Sequence, residues 1–254
     1  MATFSVPNIG DQSVAPSISP SIGADATLVD GTQLDIVDPG TLLGATLKAD
    51  WDSRAGVAAT WTDQIGSRVL TNFSGTTTFG ADGSFFNGQS VWLMGAGAGM
   101  GSPMFTAIAT TGNNDIWVTF ICRLLAPQLS QPLVYLTDNG NNPTINLLQT
   151  ASGSGNVTAS TITAPFVPDT NVHRYEYGII GGRSMMFIDG SLRASGATFG
   201  TSLARDLTRV QLPRNAASGS AGINVASLRI ITPAPTGLQR AQLRAYDSSI
   251  WGTL

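Results

Sequence analysis

The charged residues of this chain are almost all aspartate and arginine, since Glu176 is the only glutamate and Lys48 the only lysine. Glutamate and lysine are good helix formers that helix-rich proteins use heavily. Charged residues make up only 11% of the chain, against roughly 25% in a typical globular protein. Gly, Ser, Thr, Ala and Asn take their place, so the composition predicts strands and turns.

Short apolar runs separated by turn residues begin at about residue 45 and continue through the chain. The predicted strands are 45–51, 68–73, 84–94, 115–125, 132–137, 143–149, 156–162, 172–180, 184–189, 192–195, 207–212 and 223–231. This spacing is typical of an all-β sandwich or barrel, and 254 residues suffice for one such domain with a tail. The clearest pair is a hairpin in which Gly181 and Gly182 supply the positive φ of a tight turn. The glycine-rich segment 95–101 is predicted to be a flexible rim loop.

One helical segment is predicted near the C-terminus, where Pro233 and Pro235 end the preceding strand. Leu238, Leu243 and Tyr246 fall near helical spacing. We expect a short closing helix that tucks Trp251 onto the sandwich.

Residues 1–44 differ from the rest of the chain in composition. Residues 1–47 contain five aspartates and no lysine or arginine, and four prolines block central-strand pairing. We interpret residues 1–44 as an extended N-terminal arm for anchoring or assembly, and residues 45–254 as the sandwich. A solvated linker is the alternative interpretation. The apolar side chains expected to lie in a neighbour's groove are Val6, Ile9, Val14, Ile18 and Ile22.

Four stretches between residues 45 and 252 carry a family resemblance. They are "LKADWDSRAGVAATWTDQIGSRVLT", "GSFFNGQSVWLMG", "HRYEYGIIGGRSMMFIDGSLRASG" and "AGINVASLRIITPAPTGLQRAQLRAYDSSIWG". In order and spacing they resemble the concanavalin A-like (LamG-type) domains of bacterial and tailed-phage surface proteins. The resemblance implies an all-β fold, a jelly-roll sandwich of two antiparallel sheets closed by the short C-terminal helix. Members of the family bind glycans or proteins, act as glycosidases or serve as structural modules, so the fold alone does not choose among these functions.

The acidic residues disfavour a glycosidase. Sandwich glycosidases need two carboxylates around the scissile bond, and the related retaining glucanases use two glutamates in a Glu-x-Asp-x-(x)-Glu motif, which the single Glu176 excludes. Asp50 and Asp52 are interpreted as turn and cap residues. His173 is assigned a structural or surface role, because no Gly-x-Ser-x-Gly elbow precedes a helix. We therefore predict no catalytic residues and a protein that is not an enzyme.

Metal binding has two candidate loops, an oxygen-rich turn at 138–142 and the segment that contains Asp115. One histidine and one cysteine cannot form a zinc site, and Cys122 lies in an apolar run that predicts a buried, inert thiol. The resemblance allows a rim calcium ion, with Asp115 in a second candidate loop, but an ordinary turn is the favoured interpretation. No other cofactor is expected. The side chains of the candidate calcium loop are Asp138, Asn139, Asn141 and Asn142.

Glycan binding requires an exposed aromatic platform, and the chain has five tryptophans. Trp117 lies in an apolar strand and Trp251 in the closing helix, so both are expected in the core. Trp61 and Trp92 are the predicted platform residues.

Three functions stay open from the sequence. The favoured one is a non-enzymatic virion structural protein of a tailed phage, either capsid decoration or tail-associated, which displays a lectin-like sandwich on its arm. The alternative is a glycan- or receptor-binding adhesin, and the most remote is a glycoside hydrolase. Expected partners are other virion proteins, copies of itself in a homo-oligomer (a trimer by analogy) and, for an adhesin, cell-surface glycans.

The expected location is the virion surface. The sequence lacks the clustered basic patch that nucleic-acid binding usually requires. It also contains no apolar run long enough for insertion into a membrane. A charged n-region followed by an apolar h-region is missing, so no signal peptide is expected.

Overall fold

The computed structural model describes residues 36–56, 60–101, 107–108, 115–126, 131–137, 143–149, 156–159, 162–198, 206–213 and 222–252. Sixteen strands and two α-helices lie within these ranges. The strands are β1 (Leu47–Asp52), β2 (Thr60–Thr62), β3 (Val69–Ser74), β4 (Thr77–Ala81), β5 (Ser90–Met94), β6 (Gly99–Gly101), β7 (Ile116–Leu124), β8 (Gln131–Thr137), β9 (Pro143–Gln149), β10 (Asn156–Ala159), β11 (Ile162–Pro165), β12 (Val172–Ile180), β13 (Arg183–Ile188), β14 (Ser191–Thr198), β15 (Arg209–Leu212) and β16 (Ile223–Ile231). The helices are α1 (Pro39–Leu43) and α2 (Gly237–Trp251).

The strands form two antiparallel sheets that face each other across one core. The first sheet has the order β14-β13-β12-β7-β16-β5-β4, with β1 also paired to β16. The second has the order β11-β10-β9-β8-β15-β6-β3-β2. This arrangement confirms the predicted all-β, two-sheet antiparallel jelly-roll sandwich.

Strand β7 contributes side chains both to the core between the two sheets and to the apolar clusters on the outer face of the first sheet. Val118, Phe120 and Cys122 belong to the core between the sheets, whereas Trp117 and Ile121 belong to clusters on the opposite face. Because successive side chains alternate in direction, an unbroken apolar run indicates a strand that is buried on both faces. Burial also raises the pKa of the Cys122 thiol, which agrees with the predicted inert cysteine.

Helix α2 covers the outer face of the first sheet. It begins with a capping box, in which Gln239 N donates to Thr236 Oγ1 at 3.2 Å and Thr236 N donates to Gln239 Oε1 at 3.0 Å. Leu243 and Trp251 are buried, which confirms the predicted closing helix, whereas Leu238 is 56% exposed on the solvent side. Neither α-helix in the described ranges has the length and apolar character needed to cross a membrane.

The described part of the predicted arm, residues 36–44, packs on the sandwich. Asp38 caps helix α1 by accepting a hydrogen bond from Thr41 N at 3.0 Å. Leu43 is buried in a cluster with Trp117 and Leu243. Helix α1 is therefore part of the folded unit, although the sequence assigned it to the arm. The other arm residues named above, Val6, Ile9, Val14, Ile18 and Ile22, lie outside the described residues.

Several local predictions were wrong. Gly99–Gly101 is not a flexible loop but forms β6, which pairs with β15 and β3. Strands β2 and β4 were not predicted, because β2 has only three residues and β4 lacks the alternation that marks a half-buried strand. The predicted strand 84–94 begins only at Ser90, since Phe85–Gly88 forms a turn in which Phe86 and Asn87 have positive φ.

The predicted hairpin between β12 and β13 is confirmed. Gly181 has a φ of 55° and Gly182 a φ of 77°, and Ile180 pairs with Arg183 across the turn. Both glycines occupy the left-handed region that other residues adopt only with strain.

Candidate functional site

Trp61 and Trp92, the predicted platform residues, lie inside the sandwich. Both are 0% exposed, and their ring centroids are 6.2 Å apart between the two sheets. Side chains alternate in direction along β2 and β5, and those of Trp61 and Trp92 point inward, so neither ring faces solvent. The prediction that they form an exposed platform is therefore wrong. Trp117 and Trp251 are buried as predicted.

The candidate calcium loop, with Asp138, Asn139, Asn141 and Asn142, lies outside the described residues. Asp115, in the second candidate loop, accepts a hydrogen bond from Gly181 N at 2.6 Å and so supports the β12–β13 turn. Within the described ranges, no three side chains of the metal-binding types gather around one point.

His173 is held between two carboxylates at the start of β12. Its Nδ1 lies 2.6 Å from Asp189 Oδ2 and its Nε2 lies 2.9 Å from Asp169 Oδ1. Burial alone would lower the pKa of His173, but the hydrogen bonds and charges of Asp189 and Asp169 outweigh it and raise the pKa. The doubly protonated ring can donate to both carboxylates, so the residue has the structural role that the sequence predicted.

This arrangement predicts a pH-dependent contribution to stability. Because the pKa is higher in the folded than in the unfolded state, the contribution is complete below the unfolded pKa and is lost as pH rises through the folded pKa. We expect His173→Gln to lower the free energy of unfolding by more at about pH 5 than at about pH 9, because the contribution of the protonated ring is present only at the lower pH. Urea unfolding at both pH values measures the difference. Arg183→Gln, which removes an exposed charge on β13, is the control. An equal loss at both pH values in His173→Gln would contradict the prediction.

Six charged residues form an alternating series of ion pairs beneath α2, here called the ion-pair chain. Its members, in order, are Asp50, Arg229, Asp247, Arg174, Glu176 and Arg244. Arg229 is 0% exposed and donates through Nε to Asp50 Oδ1 at 3.0 Å and through Nη1 to Asp247 Oδ1 at 2.7 Å. Arg174 Nη1 donates to the other oxygen of Asp247 at 2.5 Å. Buried charges require such partners, so the ion-pair chain ties α2 to β1, β12 and β16.

Glu176 occupies the far end of the ion-pair chain. Arg244 Nε donates to its Oε2 at 2.8 Å and Arg174 Nη2 to its Oε1 at 3.4 Å. Burial alone would raise the pKa of Glu176, but the charges of Arg174 and Arg244 outweigh it and hold the pKa below its usual value. The single glutamate is thus enclosed and held in structural pairs.

A cleft of about 210 Å³ opens at the Asp50 end of the ion-pair chain, between α1, β1 and α2. Its polar lining consists of Asp38, Asp50, Asp52, Arg54, Gln64 and Tyr246. Arg54 Nη2 donates to Asp52 Oδ2 at 2.5 Å and to the Tyr246 hydroxyl at 2.6 Å. Asp52 also accepts from Arg54 N at 2.9 Å and caps the 3-10 turn Ser53–Ala55, as predicted. Asp50, in contrast, lies in β1 and belongs to the ion-pair chain rather than to a turn.

Asp50 has the most perturbed carboxyl in the cleft. Burial raises the pKa of Asp50 to about 6; the positive charge of Arg229 opposes this rise, and the charges of Asp52 and Asp247 add to it. At neutral pH the group is therefore largely ionised but incompletely stabilised, a state that favours an additional positive partner.

A different surface, the outer face of the second sheet, carries an exposed aromatic ring. Leu70 and Met100 point into the core, so the glycines on either side of Met100 face outward. A Cβ on Gly99 or on Gly101 would lie 3.0 Å from the ring of Phe73. The Phe73 ring therefore packs directly on the backbone of Gly99 and Gly101, and Phe73 is 44% exposed. Among the described residues it is the one aromatic side chain in the exposed class.

The Phe73 ring and the two glycines beneath it, Gly99 and Gly101, are here called the Phe73 platform. Polar side chains border this platform. Thr71 and Gln211 pair with Gly101 from its two sides, and Thr60 pairs with Thr71. Residues directly opposite one another share a face of the sheet, so two hydroxyls and an amide lie in one row beside the ring. Thr71 is exposed and the other two are half-buried.

Sequence reasoning did not find the Phe73 platform. The alternating glycines of the 95–101 segment were the available signal, because glycine inside a strand often marks a close approach by another group. Phe73 lies at an irregularity in the β3–β6 register between Asn72 and Ser74, which the sequence did not predict.

Comparisons with known proteins identify the fold but no family. No protein-family model matches the sequence, and no curated protein matches it significantly. Solved structures do match. The Trypanosoma rangeli sialidase in complex with sialic acid has a TM-score of 0.60 and 11% identity, over 91% of this chain and 36% of that one. The botulinum neurotoxin serotype G binding domain has a TM-score of 0.58 and 10% identity, over 81% of this chain and 53% of that one.

One similar structure matches over nearly its whole length. Domain 4 of AbnA, a GH43 extracellular arabinanase from Geobacillus stearothermophilus solved in complex with arabinotriose, has a TM-score of 0.57 and 14% identity, over 81% of this chain and 98% of that domain. By contrast, this chain spans about half of the botulinum binding domain and about a third of the sialidase. At these identities the likeness shows a shared β-sandwich fold.

Proposed function

We propose that this protein is a non-enzymatic carbohydrate-binding β-sandwich that holds an oligosaccharide on the Phe73 platform. The observation that carries the proposal is the Phe73 ring, 44% exposed and laid across Gly99 and Gly101 while all five tryptophans are buried. The apolar face of a sugar ring can pack on the exposed face of an aromatic ring, and nearby polar groups then fix its orientation. Thr71 and Gln211 supply such groups beside the ring.

The similar structures support this class of function. The arabinanase domain was solved with arabinotriose and the sialidase with sialic acid, and each aligns with most of this chain. A fold hosts many functions, so the exposed Phe73 ring, and not the likeness, carries the proposal.

The carboxylates of the described residues support binding rather than hydrolysis. Glycoside hydrolysis needs one acid and one base or nucleophile that are free to act on the sugar. Glu176 is enclosed between Arg174 and Arg244, and the other close carboxylates, Asp50 and Asp52, are each paired with an arginine.

Display on a virion stays a prediction from the sequence. The acidic, proline-containing N-terminal region with its spaced apolar residues supports an anchoring arm for capsid decoration or tail attachment. The carbohydrate site on the sandwich does not depend on that location.

Removal of the ring tests the proposed function. We expect Phe73→Ala to weaken oligosaccharide binding about tenfold or more, equivalent to about 1.4 kcal/mol, because the stacking surface is lost. Arabinotriose, sialic-acid-terminated and neutral oligosaccharides are screened on an array, and the strongest is measured by calorimetry with each variant. Leu192→Ala, which removes another exposed apolar side chain from β14, is the matched control.

A second variant tests the contact between the Phe73 ring and the glycines beneath it. The Cβ of Gly101→Ala would lie 3.0 Å from Phe73 Cδ1 and 3.4 Å from Val210 O, so the substitution moves the ring with little strain on the backbone. Binding should fall while the thermal unfolding midpoint stays near that of the wild type. Failure of every oligosaccharide to bind, or unchanged affinity in Phe73→Ala, would reject the proposed site.

A further inference from the structure

The cleft beside the ion-pair chain is lined by a buried residue, Asp50, one of whose carboxylate oxygens has no hydrogen-bond partner among the described residues. Asp50 is 6% exposed, and its Oδ1 accepts from Arg229 Nε at 3.0 Å. Its Oδ2 has no hydrogen-bond or ion-pair partner among the described residues, yet the carboxylate lines the cleft. Oxygens of buried charged groups normally accept hydrogen bonds. Because Asp50 Oδ2 has no such partner among the described residues, it can accept a hydrogen bond from a ligand that enters the cleft.

The charges of the cleft favour a cationic donor. Three carboxylates, Asp38, Asp50 and Asp52, line it together with one guanidinium, that of Arg54. Arg54 already donates to Asp52 and to the Tyr246 hydroxyl. Hydrogen bonds from Thr41 hold the pKa of Asp38 below its usual value, so this carboxyl is ionised at neutral pH. An ammonium group next to Asp50 Oδ2 would be both paired and attracted by the surrounding negative charge.

The size and lining of the cleft favour one sugar ring over a long alkyl chain. The volume of about 210 Å³ is below the roughly 300–1,000 Å³ of sites for drug-sized ligands. Its polar lining residues come from several elements, and they include Gln64 and Tyr246. Pro39 and Ile65 are its aliphatic lining residues, which is little apolar surface for an alkyl stem but enough for one side of a sugar ring.

We propose that this cleft binds a single sugar residue that carries a primary ammonium group, a 2-amino-2-deoxyhexose. Its ammonium donates to Asp50 Oδ2, and its hydroxyls exchange hydrogen bonds with Gln64 and Tyr246. The inference extends the proposed carbohydrate-binding function to a second, chemically selective site on the opposite sheet of the sandwich from the Phe73 platform.

The test compares glucosamine with N-acetylglucosamine, which has a similar ring but no positive charge. Ligand-observed NMR titrations at neutral pH with the whole chain measure both affinities. We expect glucosamine to bind at least tenfold more tightly, and Asp50→Asn to remove that preference. Equal affinities, or no saturable binding of glucosamine, would overturn the inference. Tighter binding of Nα-acetyllysine than of glucosamine would overturn it as well and assign the cleft to a peptide amine.

A second variant keeps the test decisive if Asp50→Asn does not fold. Gln64 is exposed, so Gln64→Lys should fold normally and place its own ammonium group at the cleft, where it blocks glucosamine. Gln89→Lys makes the same change at an exposed glutamine that does not line the cleft, and it should leave binding unchanged. Equal glucosamine affinity in the two lysine variants would overturn the inference.

Failure of this inference is distinguishable from failure of the proposed function. Phe73→Ala should leave glucosamine binding in the cleft unchanged, because the two sites lie on different sheets. Conversely, Gln64→Lys should leave oligosaccharide binding to the Phe73 platform unchanged.

Discussion

Replacing Arg229 with alanine is expected to lower the free energy of unfolding by about 3–5 kcal/mol, the range typical of breaking a buried ion pair. Arg229 is 0% exposed and holds Asp50 and Asp247 at 3.0 and 2.7 Å. Without it, both carboxylates stay inside the protein, and each loses a positive partner. The loss is a large part of the roughly 5–15 kcal/mol that stabilises most domains.

Urea unfolding followed by tryptophan fluorescence measures this loss. Arg183→Ala is the matched control, because Arg183 is an exposed arginine on β13 and surface substitutions usually change stability by less than about 0.5 kcal/mol. If Arg229→Ala cost no more than Arg183→Ala, the ion-pair chain would not hold α2 on the sheet.

The second large effect is expected from Gly178→Ala, a change of one methyl group. A Cβ at Gly178 would lie 2.1 Å from Cε3 and 2.2 Å from Cζ3 of Trp117. Trp117 has little space to move, because it is 0% exposed, packs on Phe187 at 5.6 Å and lies under Arg240 at 4.7 Å. We expect a loss of stability at or above the top of the roughly 1–3 kcal/mol range for overpacked cores.

Gly80→Ala is the control for this prediction. Gly80 also lies within a strand of the first sheet, but a Cβ there meets no atom within 4 Å. The substitution should be neutral or slightly stabilising, because alanine restricts the unfolded chain. Thermal unfolding of both variants gives the comparison, and a midpoint for Gly178→Ala equal to that of Gly80→Ala would show that Trp117 rearranges freely.

Local patterns in the sequence were sufficient for the fold class. Alternation of apolar and polar residues, together with turn glycines such as Gly181 and Gly182, predicted most strands and the clearest hairpin. The prolines before residue 237 and the apolar spacing after it predicted α2 and the burial of Trp251. These signals act between residues a few positions apart, which explains why they can be read without the tertiary structure.

The candidate sites depended on pairings between distant parts of the chain. Asp50, Arg174, Arg229 and Asp247 come from β1, β12, β16 and α2, and only the packing of α2 on the first sheet brings them together. No spacing rule connects positions so far apart in sequence, so Asp50 was interpreted as a turn residue.

Local patterns in the sequence determined that this chain forms an all-β sandwich or barrel with a closing helix, because strand alternation and turn chemistry are local properties. The family resemblance implied the two antiparallel sheets. The tertiary structure alone decided which aromatic ring faces solvent. Trp61 and Trp92 looked suitable for a platform, but the direction of each side chain depends on the register of its strand against a distant partner. That register buried both tryptophans between the sheets and left Phe73 exposed above Gly99 and Gly101.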